Sequence, residues 1–260
     1  MDGKPYRLRE FISPRDGRSL ILDLSAGLAL GPLPGFERFP EAVAPLLPHV
    51  DGLVCSPGQA GRVRARSQKD AALLVRASWT NALRGPDFVL PLETVRYIPI
   101  LSAQEGLDVG ACALVLDFLL GYEEEIEGSC LSATVQLALE GNRLSMPVLV
   151  QVRPSGPRVA LRDRAIALGV SYALEGGADG VALPWPGQRT FADVVAMAGD
   201  RPLWIVPASP EQAGAEAAEA LAQGACGIWL DPVYVGAAAL EGLLFALRAQ
   251  VHPEPSEAGR

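Results

Sequence analysis

Acid–base or anion-binding chemistry in this chain falls to a few polar residues that interrupt apolar runs: Asp23 and Ser25, Asp117, Arg153 and Asp231. Asp23 and Ser25 lie two residues apart, so in an extended segment they share one side. Asp117 sits inside CALVLDFLL (112–120), where a buried carboxylate needs a partner. Arg153 offers a planar fork that binds a carboxylate or phosphate, or that pairs with a nearby Asp. Trp185 offers an aromatic face that either stacks on a ligand or packs as a lid. Asp23, Ser25, Asp117 and Arg153 are the candidate catalytic groups, and Arg153, Trp185, Ser78, Ser209 and Asp231 the candidate binding groups.

Several other chemistries lack their residues. His49 and His252 fall at a helix end and in the tail, which reads as surface rather than as ligands. The four cysteines (Cys55, Cys112, Cys130, Cys226) are scattered singly with no CxxC, so we expect reduced thiols. Neither GxxxxGK[ST] nor a clean GxGxxG follows the first strand. A carboxylate-only Mg²⁺ site from Asp23, Asp117 and Asp231 has suitable oxygen ligands, yet we expect no metal and no cofactor. Amine chemistry has two candidates, Lys4 and Lys69, against twenty arginines.

These residues must be positioned by the apolar runs around them. Runs rich in Val, Ile and Leu occur at 18–25, 51–57, 72–79, 112–120, 147–154, 179–185, 202–209 and 226–233. Near-continuous apolarity, rather than strict alternation, suits parallel strands covered on both faces. Helices are predicted at 39–49, 92–106 (with Pro99 as a kink or first turn), 123–144, 160–177, 209–225 and 236–250. The fifth of these opens with a capping box from Ser209 to Gln212. The phrases Glu175–Gly180 and Gln223–Gly227 each end a helix and launch a strand, with Gly as the left-handed cap. The fold class is therefore α/β, a single (β/α)8 TIM barrel, with a doubly wound sheet as the runner-up. We expect residues 1–17 to cap the barrel, 18–250 to form it, and 251–260 to be a disordered tail. In such a barrel the chemistry sits at the C-terminal strand ends, where the candidates above fall.

The chain carries 22 basic and 30 acidic residues, a net charge of −8, and no cationic cluster of the kind nucleic acid requires. No apolar run is long enough to span a bilayer, and MDGKPYRLRE lacks a signal-peptide hydrophobic region. The expectation is a soluble cytoplasmic protein with a small-molecule ligand, no nucleic acid or membrane partner, and self-assembly as a homo-oligomer.

Four phrases, in order, resemble those of one family. DGRSLILDLSAGLALGPLPGF (16–36) is similar to the "DGR…DHG…GP..GL" of archaeal-type class I fructose-bisphosphate aldolases, in the DeoC/LacD aldolase group. SMPVLVQVRPSG (145–156) resembles their "GMPLL…YPRG", GGADGVALPWPGQRTF (176–191) their "GADIVKTPYTG…F", and GACGIWLDPV (224–233) their "GAAGVAVGRNI". The resemblance implies a TIM barrel and lyase ancestry. It also implies which roles have changed hands. The family's strand-one Asp falls on Ser25 and the following His on Ala26. Its strand-five Tyr acid/base falls on Arg153, and its strand-six Schiff-base Lys on Ala182. The twin glycines of its strand-seven phosphate loop fall on Pro207 and Ala208, and the strand-eight Gly-Arg pair on Asp231 and Pro232.

Three functional readings follow. One is a divergent enzyme acting on a small, non-phosphorylated, anionic metabolite, with Arg153 as anchor and Asp23 or Asp117 as acid/base. A second is a catalytically silent homologue that binds a metabolite or a protein. The third is an aldolase using another lysine or a metal.

Overall fold

The computed structural model of the chain describes residues 3–64, 71–90, 92–231 and 237–254. Ten strands follow in chain order: β1 Ser19–Asp23, β2 Gly52–Cys55, β3 Ala72–Arg76, β4 Ser78–Thr80, β5 Tyr97–Pro99, β6 Ala113–Leu120, β7 Val148–Pro154, β8 Gly180–Pro184, β9 Leu203–Val206 and β10 Gly227–Leu230. Eight of them pair in parallel and close in the order β1-β2-β3-β6-β7-β8-β9-β10, while β4 and β5 form a separate antiparallel pair. The fold is the expected (β/α)8 barrel.

The helices are α1 Lys4–Leu8, α2 Gly27–Leu30, α3 Phe39–Val43, α4 Pro57–Arg64, α5 Ala103–Asp108, α6 Glu124–Leu144, α7 Arg162–Glu175, α8 Gln188–Ala198, α9 Ala213–Ala222 and α10 Ala237–Val251. None of the described helices is long and apolar enough to cross a membrane.

Burial on both faces explains the apolar strands. Outward side chains pack under the helices in the larger cluster, and inward ones form a second core inside the barrel: Ile21, Val54, Leu74, Val115, Leu149, Ala182, Trp204 and Trp229. Phe11, from the segment before β1, joins this inner core, its ring centroid 6.1 Å from that of Trp204. Trp204 and Trp229 meet edge to face at 6.1 Å. The inner space is tight: a Cβ on Gly180 would lie 2.8 Å from the Trp204 ring.

Three sequence expectations need correction. The predicted helix 92–106 forms only at its C-terminal end. Tyr97–Pro99 within it is β5, because it pairs with Ser78–Thr80, and only then does Ser102 cap the short α5 in a capping box with Glu105. The helix predicted from Ser209 begins at Ala213 with Gln212 as N-cap, and Ser209 Oγ accepts only a long 3.4 Å bond from the Gln212 N–H. Helices α4 and α8 were not anticipated.

The third correction is His252, which is a buried clasp and not a surface tail residue. Its side chain is 8% exposed, with Nδ1 2.8 Å from Asp16 and Nε2 2.8 Å from Asp51. Asp51 also accepts from the Leu20 N–H at 2.7 Å, so the end of α10 is tied to the N-terminal ends of β1 and β2, away from the mouth. The Asp51 hydrogen bond raises the His252 pKa, burial opposes it, and Asp16 adds to the rise. Burial pushes the Asp16 carboxyl up, but the His252 and Arg18 hydrogen bonds outweigh it and bring it to about 2. The doubly bonded imidazolium therefore stabilises the fold below the ordinary His value near 6.5, and this contribution fades as pH rises through the raised folded value. The Asp16 contribution is full above the ordinary carboxylate value of 3.8 and is lost as pH falls from there through about 2. Replacing His252→Gln is expected to lower unfolding free energy by roughly 1 kcal/mol more at pH 5.5 than at pH 9 in urea titrations. Equal losses at both pH values would contradict the charged clasp.

Candidate functional site

The mouth of the barrel is organised by a residue that was not among the candidates. Arg76 ends β3 with its side chain only 3% exposed and directed into the barrel. Its Nε donates to Ser25 Oγ at 2.9 Å, and Nη1 to Asp117 Oδ1 at 3.0 Å. Its Nη2 donates to Gln151 Oε1 at 2.7 Å and to Asp23 Oδ2. The available signal was a cation within the apolar run ALLVRASW (72–79), the counterpart of Asp117 within its own strand.

Asp117 has the partners its burial requires. Arg153 Nε donates to its Oδ1 at 2.6 Å, and Ser78 Oγ to its Oδ2 at 3.0 Å. Burial pushes this carboxyl up, but Arg76 and Arg153 outweigh it and hold it below the usual range. Asp23 lies beside Ser25 as expected, accepting from its hydroxyl at 2.5 Å and its N–H at 2.9 Å. Trp229 Nε1 donates to Asp23 from the neighbouring strand β10 at 3.0 Å.

Of the two roles open to Arg153, pairing is the one seen. Beyond Asp117, its Nη2 donates to Gln151 Oε1 at 2.9 Å and to Asp231 Oδ2 at 3.0 Å. Asp231, directly after β10, has an 8% exposed side chain, and its Oδ1 has no hydrogen-bond partner among the described residues. Burial pushes the Asp231 carboxyl up, Arg153 opposes this and Asp23 adds to it, leaving the net direction upward.

Half of the mouth is closed. Trp79 Nε1 donates to the Leu28 carbonyl at 2.9 Å and Arg84 Nε to the Ala29 carbonyl at 3.1 Å, so β4 and its following turn clamp onto α2 above Arg76. The open half is a cavity of about 310 Å³ over β7, β9 and β10, lined by Gln151, Arg153, Ser155, Arg162, Ser209 and Asp231 with a wall of prolines. Trp185 does not line it. Its ring packs on Phe191 at 5.2 Å, so the packing option is what the fold adopts.

Ala182 stands on the inner wall of β8, fully buried, between Gln151 and Trp204 in register. Lys4 is at the opposite end, its Nζ 2.6 Å from Asn142 Oδ1 and 2.8 Å from Asp179, the residue before β8. Lys69 and Pro232 lie outside the described residues. Among the described residues no three His, Cys, Asp or Glu side chains are grouped to hold a metal ion. The four cysteines are free, and burial raises the thiols of Cys55, Cys130 and Cys226 to about 12, far from thiolate chemistry.

No family model matches the chain. A 3-hydroxy-5-phosphonooxypentane-2,4-dione thiolase of Photorhabdus laumondii is 26% identical over 257 residues, covering 96% of this chain and 82% of that one. An archaeal fructose-1,6-bisphosphate aldolase, solved with its catalytic Lys covalently bound to the carbinolamine intermediate, superposes with a TM-score of 0.75 at 21% identity over 95% of this chain and 98% of that one. A fructose-bisphosphate aldolase from Slackia heliotrinireducens gives a TM-score of 0.77 at 16% identity, covering 97% and 87%. The fold is the (β/α)8 barrel of these aldolases. The likeness extends from end to end of the aldolase-type fold and is not confined to one motif.

Within this aldolase-type barrel, Arg76 is the group whose removal costs most, because it leaves Asp23 and Asp117 buried together without their shared cation. Arg76→Met is expected to lose roughly 3–5 kcal/mol of unfolding free energy in denaturant titrations. A loss below about 1 kcal/mol would show the network to be dispensable.

Proposed function

We propose that the protein is an aldolase homologue whose barrel mouth holds a small, non-phosphorylated metabolite and forms no Schiff base. The observation that carries this reading is the buried Arg76–Asp23–Asp117–Arg153–Asp231 network, which crosses the barrel above Ala182 and floors the open cavity. A Schiff base needs a primary amine at the substrate carbonyl. The position that aligns with the family's lysine offers a methyl group sealed against Trp204.

The phosphate subsite is altered in the same direction. Pro207 has no N–H to offer, and the Ala208 N–H donates to Glu216 Oε2 at 3.0 Å. Asp231 adds a carboxyl where the family has glycine. The phosphorylated compounds in the names of the relatives thus lack their grip here.

Holding a ligand suits this mouth better than turning it over. Asp117 accepts from two arginines and Ser78, and Asp23 from Arg76, Ser25 and Trp229, so both make poor bases. Asp231 is the carboxyl on the cavity with an oxygen unengaged, and acid–base chemistry there falls to it. This supports the catalytically silent reading over a divergent lyase. We further propose a cytoplasmic homo-oligomer. Free cysteines support the compartment, and Leu131, Val135 and Leu139, exposed at four-residue spacing along α6, support self-association.

Incubation with dihydroxyacetone phosphate or fructose 1,6-bisphosphate and borohydride is expected to leave the intact mass unchanged. A covalent increase mapped to Lys4 or Lys69 would overturn the reading.

A further inference from the structure

Ion pairing does not use up the donors of Arg153. Its Nε and Nη2 are engaged by Asp117, Gln151 and Asp231, but Nη1 makes no hydrogen bond among the described residues and is not sealed from solvent. Arg153 lines the open cavity, which leaves Nη1 there as a charged donor. Arg162, the first residue of α7, stands exposed on the rim of the same cavity. Its Nη1 donates to the Pro154 carbonyl at 3.3 Å, and its Nε and Nη2 have no partner among the described residues. Ser155 also lines the cavity. Tyr122 donates its hydroxyl to Ser155 Oγ at 3.2 Å, so the Ser155 proton is left to donate elsewhere. The stretch from the end of β7 to the start of α7 therefore brings two guanidinium groups and a hydroxyl, all with donors to spare, to one cavity. Much of the remaining lining is apolar, with Leu83, Pro184, Val206, Pro207 and Leu230.

Such a site suits an acceptor-only headgroup on an apolar body. Carboxylate oxygens accept and never donate, and guanidinium N–H groups meet them with strong charge-assisted bonds. Asp117 and Asp231 already share Arg153, so a singly charged anion fits where a phosphate dianion meets twice the repulsion from them. Burial pushes the Asp231 carboxyl toward its neutral form, which lightens that repulsion for a monoanion. We propose that the open half of the mouth binds a small monocarboxylate with a short aliphatic body, its carboxylate held by Arg153 Nη1, Arg162 and the Ser155 hydroxyl. This deepens the proposed function and rests on it. The cavity of about 310 Å³ lies at the small end of ligand pockets, in keeping with a short body.

The experiment uses three probes of one carbon skeleton: 3-methylbutanoate, 3-methylbutanamide and 3-methylbutyl phosphate. Dissociation constants are measured on the full chain by ligand-observed NMR at about pH 8, where the carboxylate is a monoanion and the phosphate ester a dianion. The carboxylate is expected to bind at least about tenfold more tightly than the isosteric amide and than the phosphate ester. Arg162→Gln, on the exposed rim, is expected to weaken the carboxylate about threefold and to leave the amide unchanged. Because replacing Arg153 endangers the buried network, its part is read in the unmodified protein, where its guanidinium NMR signal is expected to shift with the carboxylate and not with the amide. The amide binding as tightly as the carboxylate would overturn the carboxylate class while leaving a non-phosphorylated ligand in place. The phosphate ester binding most tightly would overturn both readings. No saturable binding of the carboxylate, or an unmoved Arg153 signal, would overturn this inference alone, and the borohydride experiment would still decide the proposed function.

Discussion

A guanidinium keeps its proton inside a protein, so burying one obliges the surrounding strands to supply acceptors. In this barrel the obligation falls at the end of β3, and the neighbours answer it from three other strands: Asp23 from β1, Asp117 from β6 and Gln151 from β7. Each carboxylate then needs further donors of its own, which Ser25, Ser78, Trp229 and Arg153 provide. Arg153 in turn holds Asp231. One buried cation thus propagates a chain of requirements across the mouth, and nearly every polar side chain there is explained by its place in that chain.

The apolar layer beneath follows from the same arrangement. Trp229 reaches Asp23 only because its indole lies inside the barrel, and it shares that space with Trp204. Two indoles leave room on β8 for little more than Gly180 and Ala182. A long amine at position 182 would compete for volume with Trp204 and for acceptors with Arg76. The interior of this barrel is therefore given over to packing and ion pairing.

The strands were legible because burial on both faces writes continuous apolar runs, and the left-handed glycine caps Gly177 and Gly224 were legible because each precedes such a run. The β4–β5 pair was not, since whether Tyr97–Pro99 is helix or strand is decided by Ser78–Thr80, not by local pattern. Asp117 announces its need for a partner, but the apolar pattern of ALLVRASW (72–79) masks Arg76, the cation that answers it. His252 read as tail because its carboxylates lie 236 and 201 positions earlier in the chain. Sequence spacing reports local geometry well and long-range ion pairing poorly.

Arg76 and Asp117 act as one energetic unit. A double-mutant cycle with Arg76→Met, Asp117→Asn and the double variant, followed by urea unfolding, measures this directly. A coupling energy of roughly 2–3 kcal/mol is expected, the double variant being far less damaged than the sum of the singles. Additivity within about 0.5 kcal/mol would contradict it.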